Sequence, residues 1–319
     1  MKRVYALFPL SLFLASSIGY AQYTDQINSN RPGESMSAFA VGKTIFQVES
    51  GIYGTLEKHE ILNTETKGIG LDMAIRYGAF VEELEFIVDF QYQFDQFTNA
   101  LETQNRNKFK NTTIGAKYLV YDPDKNYKPE VNIYSWKANQ RFKWRSLIPA
   151  IAVYGGVNIV GKNNPYTFPE DKISPKFMAI TQNHFGRWVW VNNIIADKIA
   201  TEYPSYGIVS TLTHGFNERW SAFGEFQGYK SDYYADGLGR IGAAHLLGNN
   251  MQIDASITSN FKNTPSILYG GIGFSWRFDA NYSNIHIKGE SDLDMQKTRE
   301  QKRQEKKQER KRLDEMEAN

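Results

Sequence analysis

The chain has 319 residues, no cysteine, 14% aromatic residues and a formal charge of +2. The lack of cysteine excludes thiol chemistry, a lipid-modified N-terminal cysteine and a small disulfide-stapled module, and the charge carries no global signature of a nucleic-acid binder. Past residue 21 no run of about 18 apolar residues occurs, which excludes helical membrane spans; the mean hydropathy of −0.51 does not exclude a transmembrane β-barrel, whose lipid-facing and lumen-facing residues alternate and average to an ordinary value.

Residues 1–21 read as a signal peptide. Lys2 and Arg3 make a basic start, Val4 to Ile18 is mostly apolar, and Gly19-Tyr20-Ala21 supplies small residues ahead of Gln22. Cleavage after Ala21 removes both cations and leaves a neutral chain. Residues 22–43 are expected as a periplasmic segment at the mouth of the barrel, with Arg31, Pro32 and Gly33 as a structural turn there.

From residue 44 to 278 apolar and polar residues alternate. In LEFIVDFQYQF, Leu84, Phe86, Val88, Phe90, Tyr92 and Phe94 alternate with Glu85, Ile87, Asp89, Gln91 and Gln93. A soluble sandwich strand alternates too, but the stretches here exceed the roughly 5–6 residues usual in soluble sheets, and the best-alternating of them keep charge off their apolar rows, as lipid contact requires. They predict an all-β fold: a closed antiparallel transmembrane barrel of about twelve strands, at 44–55, 67–79, 83–96, 110–121, 146–160, 176–186, 187–200, 206–215, 219–230, 237–247, 251–262 and 266–278. Ten or fourteen remain open, because 146–160, 176–200 and 237–247 alternate poorly. Tight turns are expected near Phe80, Asn217 and Gly248-Asn249-Asn250, and longer outer loops at 56–66, 97–109, 161–175, 201–205 and 231–236. Residues 122–145 interrupt this pattern with a long connection on the short-turn side, carrying Tyr134, Trp136, Phe142 and Trp144. They read as part of an aromatic girdle or as an element that touches the membrane surface or a partner.

The last strand, SILYGGIGFSWRF, sets Ile272, Phe274, Trp276 and Phe278 on one row and Gly271, Gly273, Ser275 and Arg277 on the other. Phe274, Trp276 and Phe278 resemble the C-terminal recognition signal of outer-membrane proteins. At the other end, SNRPGESMSAFAVGKTIFQVESGIYG (residues 29–54) has an Arg31-Pro32-Gly33 turn, a serine-rich run from Ser35 to Ser37, a Gly42-Lys43 turn and a first strand opening Phe46-Gln47-Val48-Glu49-Ser50-Gly51. This resembles the opening of the barrel family labelled "MetA-pathway of phenol degradation", in a Bacteroidota-like version. The resemblance covers about thirty residues there plus the terminal strand; Asn30, where Asp is common, and the charged tail depart from it. It implies an outer-membrane barrel with periplasmic termini that passes solutes.

The ionisable residues on the predicted luminal rows are Glu49, Asp72, Arg76, Glu85, Asp89, Lys117, Glu225, Asp254 and Arg277. They read either as a salt-bridge network that fills the lumen or as a constriction that selects solutes. Twelve strands fall between the filled eight-stranded barrel and the open sixteen-stranded porin, so a narrow or plugged channel is expected; the family resemblance implies small, apolar or aromatic solutes for it. His184, His214 and His245 read as packing residues; no nucleophile, metal or phosphate motif is present, and neither an enzyme nor a cofactor is expected.

Residues 279–319 read as a charged periplasmic tail, able to form a helix that is polar all round. Within 296–312 nine basic side chains face three acidic ones, and Lys302, Arg303, Lys306, Lys307 and Arg310 are candidates for docking to an acidic partner. The tail and the 122–145 connection support an alternative reading, a non-transporting barrel subunit of an outer-membrane complex. The expected partners are outer-membrane lipid, a small solute and a protein bound through the tail, and no nucleic acid.

Overall fold

The structure, a computed structural model, describes residues 27–125, 144–161, 163–166, 172–232 and 234–278. The chain divides into Met1–Asp279 and Ala280–Asn319. The expected signal peptide, most of the 122–145 connection, and the tail with Lys302, Arg303, Lys306, Lys307 and Arg310 lie outside the described residues.

Twelve strands follow one another: β1 (Phe46–His59), β2 (Thr64–Gly78), β3 (Leu84–Thr98), β4 (Thr103–Tyr121), β5 (Ala150–Ile159), β6 (Ile173–Phe185), β7 (Trp188–Asp197), β8 (Ser205–Gly215), β9 (Trp220–Ser231), β10 (Ala235–Leu246), β11 (Met251–Asn260) and β12 (Ser266–Phe278). Each pairs with its chain neighbours, and β1 closes on β12 to make a barrel. The closing register runs antiparallel from Phe46↔Phe278 to Lys58↔Ser266. Closure removes every exposed strand edge, the condition for a sheet in hydrocarbon.

The dyad pattern sorts the side chains. Ile69, Ile241 and Ile272 are 63%, 64% and 65% exposed on the outer face, while Arg76, Glu85 and Lys117 are fully buried inside. Phe274, Trp276 and Phe278 are all on the outer face; the rings of Phe46 and Phe278 lie 5.6 Å apart across the seam. His214 and His245 stack on Trp188 and Trp220, at 4.2 and 4.3 Å between centroids. His184 is luminal, against Phe39.

The strands reach further than their alternation does. Residues 56–66 and 97–109, expected as loops, are mostly strand: β1 and β2 pair to His59↔Thr64, and β3 and β4 pair to Thr98↔Thr103. Near these tips both faces carry polar residues, so the ladder continues where the hydropathy pattern has ended. Asp95 on β3, paired with Arg106 on β4, binds that end of the wall through a guanidinium contact of 2.8 Å.

Candidate functional site in the lumen

The segment before β1 dips into the barrel and returns to the end at which β1 starts. It enters beside the β10–β11 turn, where the Ile27 amide donates to the Asn249 carbonyl at 2.7 Å. It leaves by a turn at Gly42, whose φ of +100° favours glycine. The Gly42 carbonyl passes over Gly78, where a Cβ would collide with it. Two glycines therefore let the chain fold back onto the wall and start β1.

Between these points the segment's backbone is held by luminal side chains. Gln47 on β1 donates to the Asn28 carbonyl at 3.1 Å, and Glu49 accepts from the Asn30 amide at 3.2 Å. Gln252 on β11 donates to the Arg31 carbonyl at 3.0 Å, and Arg240 on β10 to the Pro32 carbonyl at 3.1 Å. Glu225 on β9 accepts from the Glu34 and Ser35 amides. Asn193 on β7 accepts from the Met36 amide at 3.1 Å and donates to its carbonyl at 3.0 Å. Gln182 on β6 accepts from the Ser37 hydroxyl and the Ala38 amide, both at 2.9 Å. An irregular segment buried in a barrel must have its amides and carbonyls satisfied, and the wall supplies these partners.

Charge and apolar packing divide the lumen. Arg76 is the hub on one side: it donates to the Asn28 carbonyl at 2.7 Å, to Glu49 at 2.8 Å, and through Nε and Nη2 to both oxygens of Glu85 at 3.0 and 3.1 Å. Lys117 lies 3.1 Å from Glu85 and donates to the Ser37 and Phe39 carbonyls. Glu85 also accepts from the Val41 amide at 2.8 Å. On the other side Met36, Ala38 and Phe39 pack against Ile87, Ala150, Ala152, Tyr154, Met178, Ile180 and Val191. Charged and polar side chains thus hold the segment's backbone along its length, while the side chains of Met36, Ala38 and Phe39 meet an apolar part of the wall.

Of the luminal candidates, Glu49, Arg76, Glu85, Lys117 and Glu225 contact the segment's backbone, while Asp72 and Asp254 ion-pair with its Arg31. Asp89 is half-buried on the luminal row of β3, and Arg277 is buried opposite Gln47. Arg31, Pro32 and Gly33 were expected at the mouth and instead sit within the barrel, because Asp72, Asp254 and Gln252 draw Arg31 inward. Gln47, Gln182, Asn193, Arg240 and Gln252 were missed. The amides carry no charge to single them out, and Arg240 lies on a glycine-rich strand with little alternation. Their one signal is parity, since each falls on a luminal row. Among the described residues no group of three or more His, Asp or Glu is placed to hold a metal ion.

An outer membrane channel from Pseudomonas putida F1 superposes with a TM-score of 0.50 at 12% identity, over 77% of this chain and 99% of that one. The translocator domain of the autotransporter NalP from Neisseria meningitidis gives a TM-score of 0.46 at 11% identity, over 74% of this chain and 89% of its own. These likenesses are of fold alone. No curated protein matches the sequence. Residues 29–278, from the luminal segment to the last strand, match the family described as "Putative MetA-pathway of phenol degradation", and the chain belongs to that family.

Proposed function

We propose that this barrel is an outer-membrane channel for small solutes with an apolar or aromatic body, closed at rest by its own N-terminal segment. The reading is of a channel and not of an enzyme, with Phe46 and Phe278 at the periplasmic rim. The observation that carries it is the hydrogen bonding of residues 28–41 by luminal side chains of both halves of the wall. Each such bond is worth about 0.5–1.5 kcal/mol net, or about 1.5–3 kcal/mol where a charged side chain takes part, so the segment is held firmly as a whole while any single tie is weak enough to be exchanged. Membership of the family and the fold it shares with an outer membrane channel support passage through the lumen. The reading as a non-transporting subunit rests on the tail and the 122–145 connection and gains no observation from the described residues.

Planar-bilayer recording tests this reading. The mature protein is expected to show low conductance, and a variant lacking residues 27–41 to conduct several-fold more. Equal conductance in the two would remove the basis for a closing segment.

A further inference from the structure

We propose that a luminal pocket beyond the segment binds small monocarboxylates with a flat apolar body, and that Lys110 is the group that recognises the carboxylate. The pocket has a volume of about 110 Å³; Arg31, Pro32 and Gly33 form its floor, and Tyr53, Lys110 and Tyr269 line its walls. It rests on the channel reading in one respect, since it is taken as a station on the solute path.

Lys110 reaches the pocket through a break in the sheet. The pairing of β3 with β4 runs Gln91↔Asn111 and then Tyr92↔Phe109, which leaves Lys110 as the extra residue of a bulge. A bulge re-aims a side chain at the expense of ladder regularity, and this one turns an ammonium into the lumen. Lys110 lies 5.6 Å from the centre of the Tyr269 ring and makes no hydrogen bond or ion pair among the described residues.

The other charges around the pocket are matched. Arg31 pairs with Asp72 and Asp254, and Arg240 with Glu34 at 2.9 Å and Glu225 at 3.8 Å. Lys110 makes no such direct contact, and the Glu57, Glu34 and Asp95 carboxylates act on it only from a distance; in a half-buried, aromatic-walled space an ammonium without a direct partner calls for an anion. A carboxylate accepts a charge-assisted hydrogen bond from it. Tyr53 and Tyr269 stand edge to face, 6.4 Å apart at 86°, and offer faces to a planar ring. The space equals that of a few waters at about 30 Å³ each, which suits a body the size of benzoate and excludes an oligosaccharide.

Benzoate binding to the full-length mature barrel in detergent, measured by titration calorimetry, tests the site. Wild type is expected to bind benzoate more tightly than benzyl alcohol, its neutral counterpart, and more tightly than inorganic phosphate. Lys110→Gln should weaken benzoate about tenfold and leave benzyl alcohol unchanged, while Lys110→Arg keeps the preference. Tyr269→Leu, which keeps the charge, should weaken benzoate but not acetate. A Lys110→Gln barrel that is folded by circular dichroism and binds benzoate like wild type overturns the proposal, as does a wild type that prefers benzyl alcohol or phosphate. Binding is read apart from conductance, so a failed pocket and a failed channel give different results.

Discussion

Arg31 of the luminal segment ion-pairs with Asp72 of β2 inside the barrel, in space that Gly51 and Gly273 leave open on the adjoining strands. A Cβ on either glycine would fall on the guanidinium. The absence of two side chains from the wall is thus what lets one arginine of the segment reach its carboxylate.

Gly273→Leu should accordingly evict Arg31 from Asp72 and Asp254 without unfolding the barrel, since the obstructed atoms are the far end of a flexible side chain. Single-channel conductance is expected to rise. A folded Gly273→Leu barrel with wild-type conductance would show that Arg31 does not help hold the segment.

Arg76→Met should destabilise the barrel by about 3–5 kcal/mol, because it leaves Glu49 buried without a cation and Glu85 with Lys117 alone. Adding Glu49→Gln to Arg76→Met should recover part of the loss, while Glu85 stays ionised beside Lys117. Guanidinium unfolding of the detergent-solubilised protein measures both. A single-variant loss below about 1 kcal/mol would mean that water reaches these carboxylates.

The outer rows make a claim about depth. Ile272 lies midway along the exposed row of β12, and Trp276 near its end. Ile272→Arg should cost about 2–4 kcal/mol for folding into bilayers and Trp276→Arg about 0–1 kcal/mol. Equal costs would contradict a lipid belt centred on Ile272.

Outside the strands, Glu83 and Lys125 pair at 2.6 Å. Burial pushes the Glu83 carboxyl up, but the hydrogen bond and charge of Lys125 outweigh it and hold the group below its ordinary value; the same hydrogen bond holds Lys125 above its own. A lowered carboxyl pKa gives stability that is present above the unfolded value, about 4.3, and is lost as pH falls through the folded value. Glu83→Gln should lower the melting temperature slightly at neutral pH, with the difference from wild type vanishing in acid. A difference that persists at pH 2 would assign the effect to something other than this pair.

Strand number and facing were legible because lipid imposes a strict period of two, and β2, β3, β11 and β12 carry it plainly. The lengths of β1 to β4 were not, because above the lipid belt residues such as Thr64, Glu65, Asn105 and Asn107 are polar on either face and the ladder has no hydropathy signature. Luminal charges such as Arg76 and Glu85 were visible by parity and charge. Their partner was not, since they bind amides and carbonyls of residues 28–41, and a backbone group is the same in every sequence. The Arg31-Pro32-Gly33 turn could be recognised as a turn from its composition, but its depth depends on Asp72, Asp254 and two distant glycines.

The segment's place inside a closed lumen is tested most directly through the Ser29 and Ser275 hydroxyls, 2.8 Å apart, in a chain without cysteine. A Ser29→Cys, Ser275→Cys barrel should form its disulfide readily on mild oxidation, and oxidised protein should release solute from liposomes more slowly than the same protein after reduction. Failure of the two thiols to join in the folded barrel, or equal release before and after reduction, would contradict a segment that lies in the lumen and closes it.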